Sequence, residues 1–259
     1  MNHYEFDGEK YKKASKHQRE WGNSLMEELS FNGDEMILDL GCGDGGLTEQ
    51  LARMVPKGKV LGIDASMGMI NAAKKRETDN LIFKQMDMND MDFENEFDLI
   101  FSNAALHWIK DHERLLKKVL LALKKNGMIL WDFAGDGNCS NFFSVVKELM
   151  QSPKYRDYFS SFEWPWYMPG KMEYKQKMAD IGFSRYSVTE INKDRFFADA
   201  DEMIKWIDQP SIVPFIRAIP SDKQAEFRNG VIEAMLEKTL QPDGTCFETF
   251  LRIHVSAVK

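Results

Sequence analysis

The stretch that decides the fold is LDLGCGDGG, residues 38–46. It overlaps the short apolar run MILDLG (36–41), which predicts a buried parallel strand, and it leads into GLTEQLARMV (46–55), which predicts a helix. Gly41 and Gly43 permit a tight turn and a close approach of the backbone to a ligand. The helix behind them presents N–H groups that have no partner within the helix. The segment therefore predicts a strand–turn–helix loop that binds a ligand.

Outward from this loop, strands and helices alternate as far as residue 134. Further predicted strands cover 60–64, 81–87, 97–103 and 127–133, and predicted helices cover 67–76 and 112–126, the latter ended by Gly127. This alternation predicts parallel βαβ units and an α/β fold with a Rossmann-like sheet.

The regular alternation of predicted strands and helices ends at residue 134. Residues 135–180 read mainly as helix and loop, and 200–240 read as helix interrupted by prolines, whereas 185–192 and 250–258 alternate as strands do. We therefore expect three parts in the chain. They are an N-terminal helical lid over 1–30, a Rossmann-like core over 31–134 and 181–259, and a helical cap or substrate region over 135–180 plus 198–240.

Composition narrows the classes of function. The 259 residues carry 34 Lys plus Arg and 41 Asp plus Glu, a net charge of −7, which disfavours general nucleic-acid binding. The cysteines Cys42, Cys139 and Cys246 lie too far apart for a disulfide framework or a paired-cysteine zinc site, and the histidines show no metal-binding spacing. The polar N-terminus and the lack of a long apolar run predict a cytoplasmic protein without a membrane span. We expect a small-molecule substrate, no nucleic-acid, membrane or metal partner, and a monomer or homodimer.

Acidic residues around the glycine loop indicate the charge of its ligand. Asp39 precedes the first glycine by two positions, Asp44 lies inside the loop, and Asp64 ends the next predicted strand. Carboxylates beside a pyrophosphate would repel it, whereas a sulfonium or ammonium group would be attracted. An acid at position 64 can accept the ribose hydroxyls of a nucleoside. The pattern favours a cationic nucleoside over NAD, although Gly46 satisfies the dinucleotide fingerprint literally.

DLGCGDG (39–45) followed by GIDAS (62–66) resembles the first two motifs of class I S-adenosylmethionine-dependent methyltransferases. The resemblance implies a seven-stranded sheet whose last strand, here 250–258, is antiparallel. It also implies S-adenosyl-L-methionine as cofactor and S-adenosyl-L-homocysteine as product. The cofactor-binding residues that it implies are Tyr11, Gln18, Asp39, Gly41, Gly43, Asp64, Ala65, Met67, Asp87, Met88, Asn103 and Ala104.

A closer resemblance extends over most of the chain. FDLIFSNAALHWIKDHERLL (97–116) and PFIRAIP (214–220) are similar to trans-aconitate methyltransferases, and the N-terminal Tyr11, Ser15 and Gln18 match juvenile hormone acid methyltransferases. Both families methylate a carboxylate. The resemblance thus implies in-line methyl transfer to a carboxylate oxygen of a small organic acid, which is ionised at neutral pH and needs no base.

Other acceptors and roles stay open at this point. A hydroxyl, amine or carbon acceptor would draw on a base, for which His107 is the candidate catalytic residue, and a non-catalytic cofactor-binding protein is the alternative of another class. The predicted substrate residues are His107, Trp108, Trp131, Phe133, Trp164, Trp166, Tyr167 and Trp206. The cations that could hold an acidic substrate are Lys171, Lys175, Arg185, Lys205, Arg217 and Arg252.

Overall fold

The computed structural model describes residues 16–259, apart from the side chains of 16–18, 209 and 210. Its strands are β1 (Met36–Leu40), β2 (Lys59–Asp64), β3 (Leu81–Gln85), β4 (Phe97–Asn103), β5 (Leu123–Ala134), β6 (Arg185–Asn192), β7 (Arg195–Phe197), β8 (Cys246–Glu248) and β9 (Leu251–Val258). Its α-helices are α1 (Lys16–Met26), α2 (Gly46–Met54), α3 (Met67–Ala73), α4 (His112–Ala122), α5 (Ser140–Gln151), α6 (Lys171–Ile181), α7 (Ala200–Trp206), α8 (Val213–Arg217) and α9 (Ser221–Thr239). Short 3-10 turns cover Lys74–Arg76, Met88–Asp90 and Leu106–Trp108, and a π-helical turn covers Ile207–Ser211.

The described chain divides into two compact units. Unit 1 runs to Asp136 and includes Trp166–Ile191 and Arg252–Lys259, and unit 2 comprises Gly137–Pro165 and Asn192–Leu251. These bounds differ from the sequence-based ones because α6, which we assigned to the cap, belongs to unit 1. Its Tyr174 and Met178 are fully buried in the core of that unit.

Unit 1 is built on a seven-stranded sheet of order β3-β2-β1-β4-β5-β9-β6. The strands β1 to β5 pair in parallel, and β9 pairs with β5 in antiparallel register, with Asp132 opposite His254. The predicted Rossmann-like sheet with an antiparallel last strand is thereby confirmed.

Both faces of this sheet are buried. In β1, Leu38 and Leu40 join one apolar cluster, while Ile37 joins a second cluster on the opposite face. Two residues of α1, Leu25 and Met26, are buried in the second cluster. Continuous apolar strands are the expected sequence of a sheet covered on both faces, which is why residues 36–41 could be read correctly.

The boundary between α4 and β5 corrects one prediction. The helix was expected to run to residue 126, but it ends at Ala122, and Leu123 already pairs with Phe97. Asn126 has a φ of 63°, and Lys124 forms an ion pair of 2.7 Å with Asp98. Pairing with a neighbouring strand outweighs the helix propensity of the lysines, a tertiary effect that local sequence does not carry.

Unit 2 packs around aromatic side chains. Phe142 of α5 meets Trp206 and Phe215 edge-on, and Tyr155 meets Phe227 of α9 in the same way. Buried Glu248 accepts hydrogen bonds from two N–H groups in the first turn of α5, and burial raises its pKa above the usual range. Among residues 16–259, no helix combines the length and the apolar character needed to cross a bilayer.

Candidate active site

The carboxyl ends of the parallel strands bring the predicted polar residues to one edge of the unit 1 sheet. Asp39 lies opposite Gly62 and Phe101, Asp64 opposite Gln85, and Asn103 opposite Asp132. Open α/β sheets bind their ligands at this edge. The candidate site is therefore the carboxyl edge of β1, β2, β4 and β5.

The loop after β1 needs glycine for two separate reasons. Gly41 has a φ of 72°, in the left-handed region, and a Cβ there would lie 2.2 Å from the Ala105 Cβ and 3.6 Å from the Met88 Cε. The backbone N–H groups of Gly41 and Cys42 both donate to the Ile63 carbonyl, at 2.8 and 3.0 Å. These contacts fix the loop between β2 and the segment after β4.

Asp64 is held at the mouth of this loop. Its Oδ2 accepts from the Gly43 N–H at 3.0 Å, and its Oδ1 accepts from the Ser66 N–H at 2.9 Å. Ser66 caps α3, and the side chain of Met67 in the first turn is 43% exposed. A Cβ at Gly43 would meet no described atom within 4 Å, so the loop borders open space beside the carboxylate. The open space at Gly43, the Asp64 carboxylate held in place and the exposed Met67 thioether are together suited to bind a nucleoside.

The other two acids of the loop are partly compensated within the protein. Asp39 is only 3% exposed and accepts from Thr48 Oγ1 at 2.7 Å. Burial, with Asp64 nearby, raises the pKa of Asp39 to about 7. Asp44 accepts from the Gly46 N–H and lies 3.7 Å from the Arg76 guanidinium. Attraction of a cationic ligand therefore centres on Asp64, and on Asp39 in its ionised form.

The segment after β3 supplies a third acid. Asp87 caps the 3-10 turn Met88–Asp90, and its Oδ1 accepts both the backbone N–H and the side-chain Nδ2 of Asn89, at 2.8 and 3.0 Å. Met88 is half-buried against the unit 1 core. The predicted pair Asp87 and Met88 thus stands beside the glycine loop.

A buried ion pair lies at the β5 side of the edge. Arg252 donates from Nε to Asp132 Oδ1 at 2.6 Å and from Nη2 to the Asp132 carbonyl at 3.0 Å, and both residues are at most 3% exposed. The Trp21 ring of α1 covers the guanidinium, with 4.8 Å between Cζ and the ring centroid. The same Asp132 carbonyl accepts from the N–H of Ala104, whose φ of 57° marks a strained backbone.

Two imidazoles near this ion pair are held neutral. Burial, with Arg252 and His112 nearby, lowers the pKa of His107 to about 3. Burial also lowers the pKa of His112 to about 4. The His112 ring bridges the Tyr174 hydroxyl, at 3.0 Å from Nδ1, and the Leu106 carbonyl, at 2.9 Å from Nε2. Among the described residues, the buried His107 Nδ1 has no hydrogen-bond partner.

Comparisons with known proteins agree with this geometry. A family model described as a methyltransferase domain matches residues 31–179, more than half of the chain. The chain belongs to this family. It is a class I methyltransferase, and its cofactor is S-adenosyl-L-methionine.

Relatives cover most of the chain or about half of it. An uncharacterised methyltransferase of Schizosaccharomyces pombe is 28% identical, over 91% of this chain and 90% of its own length. A trans-aconitate 2-methyltransferase of Variovorax paradoxus is 28% identical over 86% of each chain. A malonyl-[acyl-carrier protein] O-methyltransferase of Priestia megaterium is 33% identical, over 52% of this chain and 50% of its own length.

A solved structure supports the fold. Phosphoethanolamine N-methyltransferase 2 of Haemonchus contortus, in complex with S-adenosyl-L-methionine, aligns with a TM-score of 0.62 at 19% identity. The alignment covers 97% of this methyltransferase and 56% of that chain.

Four predicted substrate residues of the methyltransferase lie together. Trp108 contacts His107 and Trp166 through its ring, at centroid distances of 5.8 and 5.1 Å, and the Tyr167 N–H donates to the His107 carbonyl at 2.9 Å. Of the six predicted cations, all of them described, Arg252 is the buried one.

Two other predicted substrate residues lie in the core of unit 1 instead. Trp131 and Phe133 lie fully buried in the unit 1 core, and the Trp131 indole donates to the Ile100 carbonyl at 3.1 Å. They alternate with Asp132 along β5, so they offer no surface to a ligand. Trp164 and Trp206 belong to unit 2, where Trp206 is buried. Tyr11 and the side chain of Gln18 lie outside the described residues.

Sequence reasoning missed several residues that support the site. Thr48 and Arg76 bind the loop acids, and Asp132 holds Arg252. These pairs join distant segments, so no local pattern reports them. Asn89 was missed as well. An Asp side chain often accepts from the backbone N–H two positions later, so Asp87 could have indicated a turn that ends at Asn89.

Proposed function

We propose that the methyltransferase binds its cofactor along the carboxyl edge, from β3 to β4. Asp87 takes the adenine amino group, and Asp64 takes the ribose hydroxyls. The loop of Gly41 and Gly43, with Asp39 behind it, takes the methionine part, whose ammonium and sulfonium charges these acids attract. The two backbone N–H groups that hold Asp64, and the open space beside Gly43, support this placement.

We propose further that the acceptor is a carboxylate of a small organic acid. The observation that supports this proposal is the neutral His107, near the Arg252–Asp132 ion pair at the end of the edge next to Asn103. An imidazole with a pKa of about 3 is a weak base, so an acceptor that is already ionised suits this place better than one that must lose a proton. Two of the relatives are named for acceptors that carry carboxylates.

Transfer of a methyl group to an ionised carboxylate requires the protein mainly to position the two reactants. When bound, the cofactor supplies an electrophilic sulfonium methyl. The acceptor oxygen forms the new C–O bond as the C–S bond breaks, and the products are a methyl ester and S-adenosyl-L-homocysteine. The chain holds the two reactants in line, and the aromatic rings of Trp108, Trp166 and Tyr167 exclude water.

The test is methyl transfer to a panel of matched acceptors. We expect deuteromethyl from labelled cofactor to appear as methyl esters of di- or tricarboxylic acids, detected by mass spectrometry. Amide, alcohol and amine analogues of the same skeletons should stay unlabelled. At saturating cofactor, where the ionisation of Asp39 no longer limits binding, the rate with the best acid should be flat from pH 6 to 8, because the carboxylate is already ionised.

A variant of His107 tests whether its imidazole acts as a base. His107→Gln should keep acid methylation within about tenfold, because no proton is removed. Labelling of an amine or alcohol in preference to the acids, or a rate that rises with pH, would contradict the carboxylate proposal. Cofactor binding without any labelled product would favour a non-catalytic cofactor-binding protein.

A further inference from the structure

Asn89 is tied to Asp87 by two hydrogen bonds that meet on one oxygen. Its backbone N–H and its side-chain Nδ2 both donate to Asp87 Oδ1, at 2.8 and 3.0 Å. The backbone bond alone would close the turn after β3. The second bond comes from the amide side chain and adds a constraint on the rotation of the carboxylate.

The burial of the Asn89 side chain is energetically unfavourable for its carbonyl oxygen. Asn89 is 2% exposed, and its Oδ1 is buried without a hydrogen-bond partner among the described residues. A buried acceptor left without a hydrogen bond destabilises the folded protein. The opposite amide orientation would turn Oδ1 toward the Asp87 carboxylate, so the donor role of Nδ2 fixes the observed one.

We infer that Asn89 is a positioning residue for cofactor selectivity. By clamping one oxygen of Asp87, it orients the carboxylate to accept the exocyclic amino group of a 6-aminopurine and to reject a 6-oxopurine. The inference rests on the proposed placement of the adenine at Asp87. A buried unsatisfied group beside a ligand site is where such a function is expected.

A change of the substituent at position 6 of the purine tests this role of Asn89. In S-inosyl-L-homocysteine, the amino group of S-adenosyl-L-homocysteine is replaced by a carbonyl oxygen. The oxygen cannot donate to Asp87 and is repelled by its charge. A hydrogen bond to a charged group is worth about 1.5–3 kcal/mol, so the wild-type protein should prefer the adenine compound by about 10–100-fold.

The experiment is calorimetric titration of both compounds into wild type and four variants. Asn89→Ala should reduce the preference at least fivefold, toward the value for Asp87→Ala, while affinity for the inosyl compound changes little. Asn89→Leu, which like Asn89→Ala keeps the backbone bond and removes the side-chain donor, serves if Asn89→Ala does not fold. The matched control is Asn80→Ala, since the side-chain amide of Asn80 is also held by hydrogen bonds, its Nδ2 donating to the Ala52 and Val55 carbonyls at 2.9 and 3.1 Å. Asn80→Ala should leave the ratio of the affinities for the adenosyl and inosyl compounds unchanged.

The outcomes separate the two proposals. An unchanged ratio in the Asn89 variants, together with a lost ratio in Asp87→Ala, overturns the positioning role and leaves the adenine placement intact. An unchanged ratio in Asp87→Ala overturns the adenine placement and the inference with it. An equal loss of affinity for both compounds in the Asn89 variants would also overturn the inference, because it indicates a structural role only.

Discussion

At the scale of single residues, the site depends on acids in contrasting environments. Asp64 is half-buried and held by two N–H groups, whereas Asp39 is buried and has a pKa of about 7. A charged Asp39 is thus disfavoured until a cation approaches it. This makes Asp39 a group whose protonation should respond to the cofactor.

We predict that binding of S-adenosyl-L-methionine releases protons near neutral pH. With a pKa of about 7, Asp39 is about half protonated at pH 7, and a cationic ligand lowers that pKa. Calorimetric enthalpies measured in phosphate and in Tris at pH 7 should therefore differ by about half a proton's ionisation heat.

Asp39→Asn should bind the cofactor more weakly and abolish this buffer difference. Asp44→Asn is the control, because Asp44 is compensated by Arg76 and should keep the difference. Equal enthalpies in the two buffers for the wild-type protein would refute the role of Asp39.

At the scale of elements, the glycine loop is constrained most tightly at its first glycine. Gly41→Ala would force an alanine to a φ of 72° and place its Cβ 2.2 Å from the Ala105 Cβ. Together, the left-handed backbone and the overlap should destabilise the protein by about 2–4 kcal/mol.

Urea unfolding should show this loss, and affinity for S-adenosyl-L-homocysteine should fall as well because the loop moves. Gly170→Ala is the control, since its φ is −77° and a Cβ there would meet nothing within 4 Å. A Gly41→Ala protein with wild-type stability and affinity would show that the loop adapts, contrary to our description.

The same scale shows what sequence could and could not predict. The bounds of β4 and β6 agree with the sequence pattern, because alternating or continuous apolar residues report burial directly. The early end of α4 and the assignment of α6 to unit 1 were not predictable, because both depend on partners far along the chain. The loop glycines and acids followed from local motifs, whereas Arg252 was one of six cations that the sequence could not rank, and only pairing with Asp132 distinguishes it.

At the scale of the whole molecule, the two neutral histidines make stability depend on pH. The folded pKa values of His107 and His112, about 3 and about 4, lie below the ordinary value of 6.5. The unfolded chain therefore binds more protons as the pH falls below 6.5, and stability decreases in that direction. Well above pH 6.5, where the histidines are deprotonated in both the folded and the unfolded chain, these two residues contribute no pH dependence.

We predict that the free energy of unfolding of an Asp39→Asn protein falls by about 1–2 kcal/mol between pH 6.5 and pH 5.5, before most carboxylates titrate. Urea unfolding at these two pH values measures the change. His107→Asn should remove about half of it. Asp39 acts in the opposite sense, since its raised pKa favours the folded state at lower pH, so the histidine effect is best measured in an Asp39→Asn background. An acid-insensitive stability in that background would contradict the burial of neutral imidazoles.

The most direct test of the account is calorimetric titration of wild type and Asp64→Ala with S-adenosyl-L-homocysteine, with NAD as control. We expect micromolar binding to wild type, and binding about 10–100-fold weaker to the variant because ribose hydroxyls lose their acceptor. NAD should not bind, because its pyrophosphate would face the acids of the loop. Equal affinity of the two proteins, or binding of NAD in place of the sulfur nucleoside, would contradict the proposed site.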